Sequence, residues 1–131
     1  MTRRMTRRTR YLTVDEVTAV AEVAFGGRPP EARAPGLLAS AVHRPRARMF
    51  GTAAYEDLYE QAAALLHAVA ANHPLVDGNK RTAWLATATF LAFNGVDLAG
   101  VDQDVAYTLV VDVASGAETE VGRIAGRLRE L

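Results

Sequence analysis

The chain contains no cysteine, which excludes disulfides and thiolate metal sites. Its three histidines are too few and too scattered for a structural zinc site. No apolar run approaches the roughly 18 residues that a membrane span needs. The twin arginines Arg3-Arg4 and Arg7-Arg8 lack the apolar stretch of an export signal. The cytoplasm is therefore the expected compartment, with no membrane partner. Acid is missing from the first ten residues, which carry Arg3, Arg4, Arg7, Arg8 and Arg10. Lysine is almost missing altogether: fourteen arginines accompany the single Lys80.

The 131 residues, half of them apolar, suit one domain with a sizeable core. Net charge is zero, yet the body after the first ten residues has ten basic and fifteen acidic residues. Residues 1–11 read as a basic arm, and residues 12–131 as the folded domain. Such an arm binds nucleic acid weakly through counterion release. No aromatic or second basic patch is evident after it in the sequence, so nucleic acid is not the expected partner. The arm is expected to be disordered and to add little stability.

Periodicity predicts an all-α fold. Thr13-Val14-Asp15-Glu16 has the form of a capping box, followed by a helix that Gly26-Gly27 stop. Residues 28–35, with Pro29, Pro30 and Pro35, read as a loop. Residues 36–43 suit a short helix ended by Pro45, and residues 46–54 a mobile surface segment. A strong helix is predicted from Tyr55 to Asn72, with Leu58, Ala62, Leu65, Leu66 and Val69 on one face. Pro74 cannot continue it. A second strong helix runs from about Asn79 to Asn94, with Gly95 in its left-handed cap. It is apolar on nearly all sides and is expected at the centre. Residues 102–115 read as helix, although Val105, Leu109 and Val113 also suit a strand. Val121, Ile124 and Leu128 mark a final amphipathic helix.

Chemistry concentrates between the two strong helices, in His73-Pro74-Leu75-Val76-Asp77-Gly78-Asn79-Lys80-Arg81. Gly78, Asn79 and Lys80 stand where a helix begins, with unpaired amides and a positive dipole end. That end is an anion site, and Gly78 permits close approach of a phosphate. Lys80 and Arg81 add positive charge, and Asn79 adds an amide. His73 is a candidate base, and Asp77 is a hard oxygen ligand of the kind Mg²⁺ uses beside phosphates. Base, metal ligand and phosphate cradle are the parts that phosphoryl or nucleotidyl transfer requires. The spacing is not that of a P-loop. Taken singly, each of these residues is also compatible with an ordinary structural turn.

The nine-residue segment with Thr82-Ala83 after it resembles the signature of the Fic/Doc family, and within it the Doc branch. Leu12–Val17, Gly36-Leu37-Leu38 through Arg44-Pro45, Ala62–His67, Phe93–Gly95 and Ala114–Gly116 extend the resemblance along the body. It implies a compact single-domain helical bundle. It also implies that His73 takes the proton of a target hydroxyl and Asp77 holds Mg²⁺. Gly78, Asn79, Lys80 and Arg81 would then bind the phosphates of ATP. In the AMP-transferring Fic branch a glycine usually stands at the position of Lys80, and a second arginine at that of Trp84. Their absence goes, in Doc-like members, with transfer of the γ-phosphate. Leu75 replaces the usual loop-anchoring phenylalanine, and Ala34 a frequent aspartate.

No glutamate precedes glycine or asparagine, so the self-inhibiting helix motif of many Fic proteins is absent. The resemblance then implies a Phd-like antitoxin in trans and elongation factor Tu as target. A Fic-type protein AMP-transferase is the alternative reading. A non-catalytic binding module of the same fold is a further one, against which the intact His73, Asp77, Asn79 and Arg81 argue.

Overall fold

The structure is a computed structural model that describes residues 8–34 and 36–131. Arg3, Arg4 and Arg7 of the expected arm lie outside the described residues. Six helices follow in order: α1 (Val14–Ala24), α2 (Leu37–His43), α3 (Leu58–Asn72), α4 (Asn79–Phe93), α5 (Gln103–Ser115) and α6 (Val121–Arg129). Between α2 and α3 lie a single 3₁₀ turn (Arg44–Arg46) and two short antiparallel strands, β1 (Arg48–Met49) and β2 (Thr52–Ala53). The all-α expectation holds, and among the described residues no helix is long and apolar enough to cross a membrane.

Local chemistry explains the helix starts. The Thr13 hydroxyl accepts the Glu16 amide, and the Glu16 carboxylate accepts the Thr13 amide at 2.9 Å. Expected to begin at Tyr55, α3 begins only at Leu58, because Asp57 and Glu60 form a second capping box of the same kind. Helix wins over strand in α5: Asp102 caps the amides of Asp104 and Val105, and Gly116 closes the other end in the left-handed conformation.

The core lies along α3, which packs against α2, α4, α5, α6 and the 3₁₀ turn. A one-faced helix was the expectation. Instead Gln61 through Leu66 and Ala68 through Ala70 are all buried, because five alanines among them let neighbours approach from several sides. Helix α4 packs against α3, α1 and α5 and contributes Phe90 and Leu91, both wholly buried. Each such side chain stabilises the fold by about 1.5–3 kcal/mol.

The expected arm boundary at residue 11 moves. Arg10 exchanges two hydrogen bonds with the Asn94 amide (2.8 and 2.9 Å), pairs with Glu16 at 2.7 Å and stacks over the Phe93 ring at 3.8 Å. Tyr11 stacks on Phe90, with ring centroids 6.2 Å apart. An arginine can pack through its planar face as well as its charge, so Arg10 and Tyr11, expected in the arm, pack on the folded body.

Residues 46–54, expected as a mobile segment, form the end of the 3₁₀ turn and the β1–β2 hairpin. Its two turn residues both have positive φ, 53° at Phe50 and 79° at Gly51. That is the primed turn favoured between two strands. For a phenylalanine this conformation costs roughly 1–2 kcal/mol. Beneath the hairpin, Arg44 donates to the Tyr55 hydroxyl and stands 2.7 Å from His67 Nδ1. Burial, and then the Arg44 charge, hold His67 below the usual imidazole range. It is therefore neutral, and Nδ1 accepts.

Candidate active site

Pro74 stops α3, and the residue before it, His73, closes the helix in the left-handed conformation at φ 49°. Histidine is one of the few side chains enriched there. The loop that follows is held on both sides. Leu75 is buried to 1% exposure, so it anchors the loop as the usual phenylalanine would. The Asn79 amide group is doubly engaged with it: Oδ1 accepts the Leu75 N–H and Nδ2 donates to the Leu75 carbonyl, each at 2.9 Å.

From the other side, residues 31–33 lie against the loop as an extended strap. The Arg33 amide donates to the Pro74 carbonyl at 2.8 Å, and the Val76 amide to the Glu31 carbonyl at 2.9 Å. The Arg33 guanidinium donates to the carbonyls of His73 (2.7 Å) and Asn72 (3.1 Å). These are charge-assisted bonds at the negative end of the α3 dipole. Arg33→Ala should cost about 1–2 kcal/mol and loosen the loop. Hydrogen exchange at the Val76 amide should speed roughly tenfold, in line with the tenfold per 1.4 kcal/mol of an opening equilibrium. Unchanged exchange would show that the backbone strap suffices alone.

At the far end of the loop, Asp77 Oδ1 accepts the Gly78 amide at 2.8 Å, which turns the chain into α4. Gly78 has φ 77°, and its Cα faces the Phe25 ring so closely that a Cβ would lie 2.8 Å from ring carbon Cζ. No side chain caps α4 and no acid lies in its first turn. Its leading amides therefore keep their capacity for an anion. Arg81 donates to the Ala24 carbonyl at 2.8 Å, tying the start of α4 to the end of α1.

His73, Asp77, Gly78, Asn79, Lys80 and Arg81 all line one cleft of about 1120 Å³. Its walls come from the end of α1 (Phe25, Gly26, Arg28), from Trp84, and from the face of α5 that carries Gln103, Asp104 and Tyr107. The sequence reading brought the six loop residues and Trp84 together but missed the walls from α1 and α5 and Arg33. They lie tens of residues away, and no local pattern marks them. It also assigned Asn79 to phosphate by its amide; that amide braces Leu75, which leaves the Asn79 backbone N–H as its donor to the cleft.

The residues present fit a nucleotide phosphate with Mg²⁺. The uncapped helix end, Lys80 and Arg28 supply positive charge, and exposed Asp77 supplies a carboxylate oxygen. No cluster of three acidic or histidine ligands exists among the described residues. Mg²⁺ needs none, since it is commonly held by one or two carboxylates plus substrate phosphates.

The Fic/DOC family matches residues 11–91. "Toxin Doc" of Mycolicibacterium smegmatis is 47% identical over 121 residues, covering 92% of this chain and 92% of that protein. "Protein kinase doc" of Escherichia phage P1 is 35% identical over 127 residues, covering 93% and 95%. The chain is a member of the Fic/DOC family, similar over nearly its whole length to Doc proteins within it.

Proposed function

We propose that the protein is a Doc-type toxin that transfers the γ-phosphate of ATP to a hydroxyl of a target protein. The observation that carries this reading is the meeting, in one cleft, of an exposed histidine, an exposed aspartate and an uncapped helix start bearing Lys80. The end-to-end likeness to a protein named as a kinase and another named as a toxin supports it.

His73 accepts the proton of the target hydroxyl as its oxygen bonds to the γ-phosphorus. The bond from that phosphorus to the β-phosphate oxygen breaks, and ADP leaves with the electron pair. The amides at the start of α4, with Lys80, hold the phosphates in line and stabilise the charge that spreads over them. Asp77 would hold Mg²⁺ beside the phosphates, and the ion would supply further positive charge there. Arg81, tied to Ala24, fixes the wall against which the nucleotide lies. A Phd-like antitoxin is the expected inhibitor, and elongation factor Tu the expected target.

The branch of the reaction follows from residues 80 and 84. A side chain at position 80 crowds the pose that presents the α-phosphate, and Trp84 offers no clamp in place of a second arginine. Label should pass to a protein of host-cell extract from γ-³²P-ATP and not from α-³²P-ATP. Label from the α-position alone would establish AMP transfer instead.

A further inference from the structure

The β1–β2 hairpin holds a residue that the fold does not explain. Phe50 is 101% exposed, and Met49 beside it is 63% exposed. Phe50 therefore contributes nothing to the core. It also sits at the first position of a primed turn, where asparagine is the favoured partner for the following glycine. A bulky residue held at positive φ with no packing to compensate points to function.

Around this tip lies a basic surface that the sequence reading did not foresee. Residues 32–55 contain no aspartate or glutamate. The Arg44, Arg46 and Arg48 side chains donate to the Tyr55 hydroxyl and to the Leu12 and Gly51 carbonyls, respectively. None of the three has a carboxylate partner among the described residues. Arg46 is also stacked on the Tyr11 ring, 4.8 Å from its centroid, so the charges are held in place. The three, with His43, line a shallow depression of about 530 Å³.

We propose that this hairpin docks the protein that receives the phosphate, and that the docked surface is an apolar pocket rimmed by carboxylates. The pocket takes Phe50, and the carboxylates pair with Arg44, Arg46 and Arg48. This rests on the phosphotransferase reading. The surface is separate from the catalytic cleft and shares no lining residue with it. The hairpin leads into the start of α3, whereas His73 closes its end; fifteen helical residues span roughly 22 Å. A folded target can bridge that distance, and a second contact raises the effective concentration of its hydroxyl at His73. Charge favours a protein over nucleic acid. A nucleic-acid backbone carries a continuous track of phosphates, whereas this patch is short and the rest of the body is acidic in balance.

The test is Phe50→Asn, with Arg48→Gln as a second variant, assayed on the protein that the γ-label identifies. The KM for that protein should rise at least tenfold in Phe50→Asn, with kcat and the KM for ATP within twofold of wild type. A peptide of about twelve residues around the labelled hydroxyl cannot reach the hairpin, and it should be phosphorylated equally by wild type and variant. Because asparagine suits the turn, the melting temperature of Phe50→Asn should hold or rise. An unchanged KM for the whole protein would overturn the docking role while leaving the enzyme intact. A fall of several degrees in melting temperature would show that Phe50 serves the fold, and would overturn it whatever the activity. Binding of a sixteen-nucleotide fluorescent RNA, lost in both variants, would replace it with a nucleic-acid site. Absence of transfer by the wild type would sink the phosphotransferase reading itself.

Discussion

Replacing His73 with alanine is expected to lower phosphate transfer by about 10²–10⁴-fold, the range that a positioned general base supplies. The melting temperature should stay within about 3 °C of wild type, because the side chain is exposed and makes no hydrogen bond among the described residues. Only its carbonyl is engaged, by Arg33, and alanine keeps that carbonyl. Alanine does tolerate the left-handed conformation slightly less well than histidine. His73→Asn removes that objection, since asparagine is at ease there and is not a base. Both variants should be inactive in extract labelling and harmless when expressed in cells. Growth arrest by either one, properly folded, would take the catalytic role away from His73.

Gly78→Ala should damage stability and activity together. The φ of 77° costs a non-glycine residue about 1–2 kcal/mol. The added methyl would then stand 2.8 Å from the Phe25 ring, and relieving such overpacking typically costs a further ~1–3 kcal/mol. A total of roughly 2–5 kcal/mol in a domain of this size lowers the melting temperature by about 6–20 °C. The Phe25 ring is only partly buried, but it lies on the cleft wall against this turn, so a shift that relieves the contact would reshape the cleft beside the start of α4. Combining Gly78→Ala with Phe25→Ala should recover the steric part of the loss and leave the conformational part. Thermal unfolding of the two single variants and the double variant separates them. If the single Gly78→Ala variant melts like wild type, Phe25 does not press on this turn in solution.

The sequence disclosed those features whose causes are local. The capping box at Thr13 and Glu16 is readable because both partners lie within one turn. The equivalent box at Asp57 and Glu60 sets the start of α3 three residues after Tyr55, inside a stretch whose helical periodicity alone does not fix the first turn. The ambiguity of the β-branched run in α5 is resolved only by the caps at Asp102 and Gly116 and by burial of Leu109 and Val113 against α3. Phe50-Gly51 carries no familiar turn signal, so the hairpin was invisible. The nine residues from His73 to Arg81 could be read as one site because chain proximity alone brings them together. Arg33, Phe25 and Tyr107 reach the same site through tertiary packing, which one-dimensional spacing does not encode. Only the geometry shows the Asn79 amide folded back onto Leu75; its residue type alone suggests a ligand donor.

The scarcity of lysine makes the cleft chemically addressable. Lys80 is the sole lysine of the chain, exposed where it lines the site, while every other fixed positive side chain is a guanidinium that stays protonated. A mild acylating reagent finds no other side-chain amine to modify. The wild-type protein thus carries its own attachment point for a reporter where α4 enters the cleft, without any engineered substitution.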